Sequence, residues 1–305
     1  MSDIIWKNVE KLAVQNVSAL VVNCEHNFNR QIYAVADDIF DKSEVSLVLI
    51  AGPSASGKTT SADLLAERLE ARGIKTHRVS TDDYFIDKDK IPVLSSGLKD
   101  YDSLRAVNVP LLQQHIQTIL NYGKITLPRF DFLKGKSFPD GDIVDCGPED
   151  VVIIEGIHAL NPAIISWRGD VNARIKKISI APRRSFIMES GIKLIPDELR
   201  LLRRLIRDFY TRGYSFEETL KQWSEVKEAE NVYILPYVGL ADYKIDSVYD
   251  YELIVYKQCI YSRLKDTHLE ALQIIRKALA EVNGMRIETI PKNSLLNEFV
   301  GFMDD

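Results

Sequence analysis

Apolar residues recur along this chain in two rhythms. Val9, Leu12, Ala13, Leu20 and Val21 fall near helical spacing, and Ile32, Val35, Ala36, Ile39 and Phe40 repeat it after a polar break at 24–29. The spacing predicts that residues 1–43 are helical and pack on the main domain or on another copy of the chain. From Val45 the rhythm changes. Short β-branched runs at 45–50, 76–80, 151–154 and 175–180 alternate with helical stretches such as 61–72. Alternation of this kind predicts an α/β fold, a parallel sheet flanked by helices. After 196 the chain turns strongly helical. Pro196 suits a first turn, and Leu199, Leu202, Leu205, Ile206 and Phe209 form the apolar stripe. Gly213 ends that helix, and Ser215-Phe-Glu-Glu218 reads as a capping box that opens the next. Leu272, Ile275, Leu279 and Val282 mark a last helix, stopped at Asn283-Gly284.

Composition narrows the classes. The chain has 305 residues, 46% hydrophobic and 27% charged, with a net charge of −5. A mildly acidic chain is not a general binder of nucleic acid or anionic membranes. No apolar run approaches the roughly 20 residues of a membrane helix. Cys24, Cys146 and Cys259 are widely spaced and form no CxxC, and the start of the chain lacks a signal-peptide layout. The expectation is a cytoplasmic protein with reduced thiols and no nucleic-acid or membrane partner.

Gly52-Pro-Ser-Ala-Ser-Gly57-Lys58-Thr59 fits G-x-x-x-x-G-K-[ST], with an apolar strand before it and a helix former after it. Gly52 and Gly57 permit the turn that aims successive N–H groups inward. The next helix points its positive end at bound phosphate. Lys58 can reach β- and γ-phosphates, and the Thr59 hydroxyl can ligate Mg²⁺. Small-molecule kinases, GTPase switches and mechanical ATPases all carry such loops. A guanine-reading Asn-Lys-x-Asp is absent, and Leu94-Ser-Ser-Gly97 lies too far upstream of the next acidic strand end for a transporter signature.

Carboxylates close two of the strands. Strand 151–154 runs into Glu155, which falls at the ligand crevice of a parallel sheet, near Thr59 and the metal. Strand 76–80 runs into Thr81-Asp82-Asp83-Tyr84, where Asp82 or Asp83 can accept or orient a hydroxyl proton. Arg200, Arg203, Arg204 and Arg207 share one broad helical face, with Arg212 beyond. They form either a solvated face or a lid that closes over phosphate.

Together these residues resemble the uridine kinase and phosphoribulokinase family of P-loop kinases. The resemblance runs from about 45 to 257. It rests on GPSASGKTT (52–60), STDDYF (80–85), LPRFDF (127–132), VVIIEGIHALNP (151–162) and LRRLIRDFYTRGYSFEETLKQW (202–223). It extends to the nucleoside-kinase segment of longer bacterial proteins with TGS and threonyl-tRNA-synthetase-like regions, whose ending is similar to IPKNSLLNEFVG (290–301). The first 43 residues are then a remnant or replacement of the connector.

The resemblance implies a P-loop NTPase fold, with a helical extension at 1–43, a kinase domain at 44–260 with an Arg-rich lid near 183–215, and a C-terminal helix and tail at 261–305. It implies ATP and Mg²⁺ as cofactors, a nucleoside as the small-molecule acceptor, and a homodimer or homotetramer. Gly52, Ser54, Ala55, Ser56, Gly57, Lys58, Thr59, Thr60 and Arg212 correspond to residues around the ATP phosphates. Thr59 and Glu155 correspond to metal-site residues. Asp82 aligns with the catalytic base, Asp102 with the carboxylate on ribose hydroxyls, Phe130 with an aromatic on the base, and Gln222 with an acceptor-side glutamine. Tyr84, Arg129, Arg204 and Arg207 join the acceptor and phosphate set. Three positions depart from the family. Phe130 stands where uridine-cytidine kinases have Tyr, Gly135 falls where they have a pyrimidine-reading His, and Tyr214 stands for Arg. Loss of polar contacts changes base choice. The expected activity is phosphoryl transfer from ATP to a nucleoside 5′-hydroxyl. A non-nucleoside acceptor and a silent nucleotide-binding regulator are the alternatives.

Overall fold

A computed structural model describes residues 2–42, 44–94, 96–164 and 174–301. Its centre is a five-stranded sheet. The strands are β1 (Leu47–Ala51), β2 (Thr76–Ser80), β3 (Val151–Glu155), β4 (Ile175–Ala181) and β5 (Tyr243–Asp246). They run parallel in the order β5-β4-β1-β3-β2. Every residue of β1 is buried, as a central parallel strand covered on both faces requires. Strand alternation sends Val48 and Ile50 into one core and Leu47, Leu49 and Ala51 into another. The register sets Ile50 and Ser80 beside Glu155, and Ala51 beside Ser179, so the carboxyl ends of four strands meet at one edge.

The helices are α1 (Trp6–Asp41), α2 (Lys58–Glu70), α3 (Val109–Leu120), α4 (Pro196–Arg212), α5 (Phe216–Tyr233), α6 (Glu252–Leu264), α7 (Gln273–Glu281) and the single turn α8 (Asn297–Val300). Among the described residues, none is long and apolar enough to cross a membrane. Local signals hold well in the second half. Pro196 opens α4, and Gly213 closes it in the left-handed region. Ser215 and Glu218 make the reciprocal capping box of α5, at 3.2 and 2.7 Å. Leu272, Ile275, Leu279 and Val282 are all buried.

One expectation needs correction, and one of two open alternatives falls. The polar stretch 24–29 does not interrupt α1, which is helical there and buries Cys24, Glu25 and Phe28. The break lies at Asn16, whose backbone is extended (φ −165°) and whose side chain accepts from the Ala19 N–H at 2.9 Å, capping the second half of the helix. Glu25 is tolerated inside because the hydroxyls of Tyr249 and Tyr251 donate to it at 2.9 and 2.6 Å. The arginine face of α4 is likewise not a solvated one. Arg200, Arg203 and Arg204 are buried, as is the Leu/Ile stripe of the same helix.

Candidate active site

The phosphate loop follows directly from the end of β1. A side chain on Gly52 would collide with the carbonyl oxygen of Ile180 on β4, so only glycine lets the loop leave the sheet here. Ala55 (φ +58°) and Gly57 (φ +90°) both take left-handed backbone, which turns the chain into α2. Gly57 is the N-cap of α2 and brings no capping side chain. The N–H groups of the first turn therefore lack a side-chain partner and suit an anion. Lys58 donates to the Pro53 carbonyl at 3.3 Å, reaching back across the loop. The Ser56 hydroxyl is buried without a hydrogen-bond partner. Thr59 is exposed at the mouth.

Above the loop stand the strand-end carboxylates. Glu155 accepts from the Ser80 hydroxyl at 2.9 Å, which ties the end of β3 to the end of β2. A one-turn 3₁₀ helix (Thr81–Tyr84) follows β2, and Ser80 caps it by accepting from the Asp82 N–H at 3.3 Å. This turn separates the two candidate bases. Asp82 looks at Lys58, Arg207 and Arg212. Asp83 has the carboxylates of Asp82 and Asp142 as its charged neighbours. Asp82 is exposed to solvent in this turn yet has much protein around it. Crowding raises its pKa, and the three cations oppose the rise. Burial also raises Glu155, against Lys58. Tyr84 lies beneath the turn, with its hydroxyl on His115 Nδ1 of α3 at 2.9 Å, and braces it from the core.

Asp102 shares the field of Asp82 and Arg204. Burial pushes its carboxyl up to about 6, with Arg204 opposing and Glu230, Asp100 and Asp82 adding to the rise. Beside it Phe85 meets Tyr101, Phe130 and Phe132 edge to face, with centroids 5.6, 5.5 and 6.0 Å apart. Arg129 stands apart from this group. It is half exposed, pairs with Asp140 at 3.1 Å and lies over the Phe138 ring, all on its own hairpin.

Helix α4 supplies the cations, and its arginines split into two pairs of tasks. Arg200 donates to the Ser54 carbonyl at 2.9 Å and pairs with Glu230. Arg203 donates to the Ala55 carbonyl at 3.3 Å and pairs with Glu252 at 2.9 Å, both side chains fully buried. These two clamp the outside of the phosphate loop. Removing one partner of such a pair leaves an uncompensated buried charge, which costs about 3–5 kcal/mol. Arg204 and Arg207 face the cleft instead. Arg204 donates to the Ser54 hydroxyl at 3.2 Å and to Gln222 at 2.9 Å. Arg207 lies in the field of Asp82.

Three residues of the site were absent from the sequence reading. Asp208 is fully buried and receives Arg204 at 3.1 Å, Arg207 at 2.8 Å and Arg212 at 3.4 Å. Its spacing of four from both Arg204 and Arg212 was a legible signal. His158 is buried edge-on to Tyr233 at 5.7 Å, and burial drops its pKa to about 4, so it is neutral at physiological pH. Glu298, from the end of the chain, accepts from the Thr60 hydroxyl at 3.5 Å.

The loop thus offers N–H groups without side-chain partners to an anion, and nearby the charges of Arg204 and Asp82 act on Asp102. Thr59 in the first turn of α2 and Glu155 at the end of β3 carry oxygen donors of the kind Mg²⁺ takes. Among the described residues no group of three or more His, Cys, Asp or Glu makes a closed cage. That donor set fits Mg²⁺, which takes one or two protein oxygens and completes its shell with phosphate and water.

The sequence is similar to those of known proteins. The sequence profile of the Phosphoribulokinase / Uridine kinase family matches residues 47–172 and 188–253, more than half the chain. A uridine kinase of Mycoplasma genitalium is 31% identical over 180 residues, covering 59% of this chain and 74% of that protein. A uridine kinase of Bacillus pumilus is 29% identical over 206 residues, covering 66% and 86%. In fold, the chain is similar to a proposed fructose transport system kinase of Silicibacter sp. TM1040, with a TM-score of 0.50 at 18% identity over 70% of this chain and 98% of that one.

Proposed function

Because this chain belongs to the phosphoribulokinase and uridine kinase family, we propose that it transfers the γ-phosphoryl group of ATP to a hydroxyl of a small molecule, in first place the 5′-hydroxyl of a nucleoside. The observation that carries this reading is Asp82. It is a carboxylate with a raised pKa, set opposite the phosphate loop and facing Lys58, Arg207 and Arg212. A base must accept the hydroxyl proton and sit within reach of it, and burial moves the Asp82 pKa upward, the direction that favours proton acceptance.

In this reading Asp82 takes the proton of the acceptor hydroxyl as its oxygen bonds to phosphorus and the bond to the ADP oxygen breaks. Lys58, Arg204 and Arg207 offset the charge spread over the transferring group. Arg212 and the loop amides hold the donor phosphates. Mg²⁺, on Thr59 and Glu155, would neutralise phosphate charge when bound. Asp102 and Gln222 hold acceptor hydroxyls, and Phe130 with Phe85 and Phe132 makes an apolar wall for a planar base.

A second reading changes only the acceptor. Gly135 has φ +62°, and a Cβ there would lie 2.7 Å from Cβ of Lys88, so a pyrimidine-reading side chain does not fit at this position. Phe130 also lacks a hydroxyl. A site without these polar groups discriminates bases weakly, or serves a non-nucleoside such as a sugar phosphate or polyol. Both readings meet one test: ADP formation from Mg·ATP, with uridine, cytidine, adenosine, guanosine, inosine, then sugar phosphates and polyols as acceptors. One acceptor drives ADP release and gains the phosphate. Asp82→Asn keeps ATP binding and lowers kcat about a hundred- to ten-thousand-fold. Equal turnover in that variant removes Asp82 from the chemistry, and bound ATP with no acceptor-dependent ADP refutes the kinase reading.

A further inference from the structure

The phosphate loop is touched from the far end of the chain. Leu295, Leu296, Phe299 and Val300 are buried, so this segment is firmly seated. Leu295 packs directly on Gly57, where a Cβ would collide with its methyl groups. The Arg203 guanidinium, which clamps the loop, lies over the Phe299 ring at 5.0 Å. The seat is held from below as well: the Tyr249 and Tyr251 hydroxyls that bond Glu25 also interact with Ser294.

This packing fixes where Glu298 points. Its carboxylate accepts from the Thr60 hydroxyl at 3.5 Å, in the first turn of α2. Its charged surroundings are Lys58, Arg207 and Arg203, which favour its ionised form against the burial that raises its pKa. Glu155 also feels its charge. A carboxylate of the chain's own tail therefore bonds Thr60 and shares the field of Lys58, two groups that a phosphate on this loop would meet.

We propose that residues 294–300 are part of the donor site and that Glu298 sets its affinity and charge selectivity: the carboxylate engages Thr60 and faces Lys58, and donor phosphate binds by displacing it. The inference rests on the donor-site reading given above. Two anions in a crowded, partly dry site repel, so carboxylate and phosphate exclude one another. A polyphosphate brings more charge and more acceptor oxygens than one carboxylate and displaces it; a weaker anion does not. Apparent affinity falls by the fraction of molecules whose Glu298 carboxylate has moved aside.

Calorimetry on the full chain tests this with Mg·ATP, tripolyphosphate and adenosine as probes. Glu298→Gln keeps the shape of the side chain and removes its charge. The Kd for Mg·ATP and for tripolyphosphate falls about tenfold in this variant, within the ordinary range of coupled equilibria, while that for adenosine stays as in the wild type. Amide hydrogen exchange on the unmodified protein gives a second readout. Exchange across 294–301 speeds up in saturating Mg·ATP if the tail is displaced. An unchanged or higher Kd in Glu298→Gln, or slower exchange with Mg·ATP, overturns the inference and leaves the donor site standing. Failure of the wild type to bind either Mg·ATP or tripolyphosphate sinks the donor site and the inference together.

Discussion

Asp102 is the residue with the plainest pH signature. An ordinary aspartate ionises at 3.8, and burial lifts this one to about 6. Its contribution to folding is therefore present below about 3.8 and fades as pH rises through about 6. Acceptor binding runs in the opposite direction, since hydroxyls donate to the ionised form. KM for the acceptor falls as pH rises through about 6 and levels off above it. Asp102→Asn shows a higher KM that no longer depends on pH in this window. A wild-type KM that stays flat across it would take Asp102 out of acceptor binding. Asp82 titrates in the same cleft, and its effect appears in kcat rather than KM. At this scale the residues of the turn left Asp82 and Asp83 both open as the base, and the family resemblance favoured Asp82. Neighbours in a turn look alike until the turn is folded and one of them faces Lys58.

At the scale of elements, the site depends on how two strand ends touch. Gly156 follows Glu155, donates to the Ile50 carbonyl at 3.0 Å and lies against the Thr81 side chain, which occupies the place of a Cβ. Gly156→Ala pushes the end of β3 away from the turn that carries Asp82. Displacements of about 1 Å can cost on the order of a hundredfold in rate, so kcat/KM falls by that order. Adding Thr81→Ala opens room for the new methyl group and restores part of the loss; kcat/KM of the single and double variants checks this. No restoration would mean that the glycine acts through something other than this contact. Caps and stops of α4 and α5 were legible because Pro196, Gly213, Ser215 and Glu218 act within one turn of themselves. The course of α1 was not. The run at 24–29 reads as a break because Glu25 is polar, and its partners Tyr249 and Tyr251 lie 224 and 226 residues away.

At the scale of the molecule, the first helix belongs to the main core. Phe28 is 2% exposed and meets Tyr249 edge to face at 5.5 Å. Asp37 reaches Arg72 of the α2 end at 2.6 Å. Phe28→Ala destabilises the protein by about 3–5 kcal/mol, the usual cost of emptying a buried phenylalanine site. Urea unfolding followed by two probes, one at each end of the chain, shows a single shifted transition. Two separate transitions, with only the first one moved, would make the helix an independent unit.

Contiguous residues determined what was legible in advance. A phosphate loop is a backbone turn of eight residues followed by a helix, and its glycines, lysine and threonine are adjacent in the chain. Strand runs ending in Glu155 and Asp82 carry their own direction, because a parallel sheet gathers carboxyl ends at one edge. Tertiary structure decided the rest. Five arginines looked alike on one helix, yet Arg200 and Arg203 clamp the loop while Arg204, Arg207 and Arg212 gather on Asp208. The tail reached Thr60 across 238 residues. An ion pair or a buried carboxylate depends on which of many charges is brought near and kept from water. Only packing sets that distance and that dryness, and no local pattern of residues encodes it.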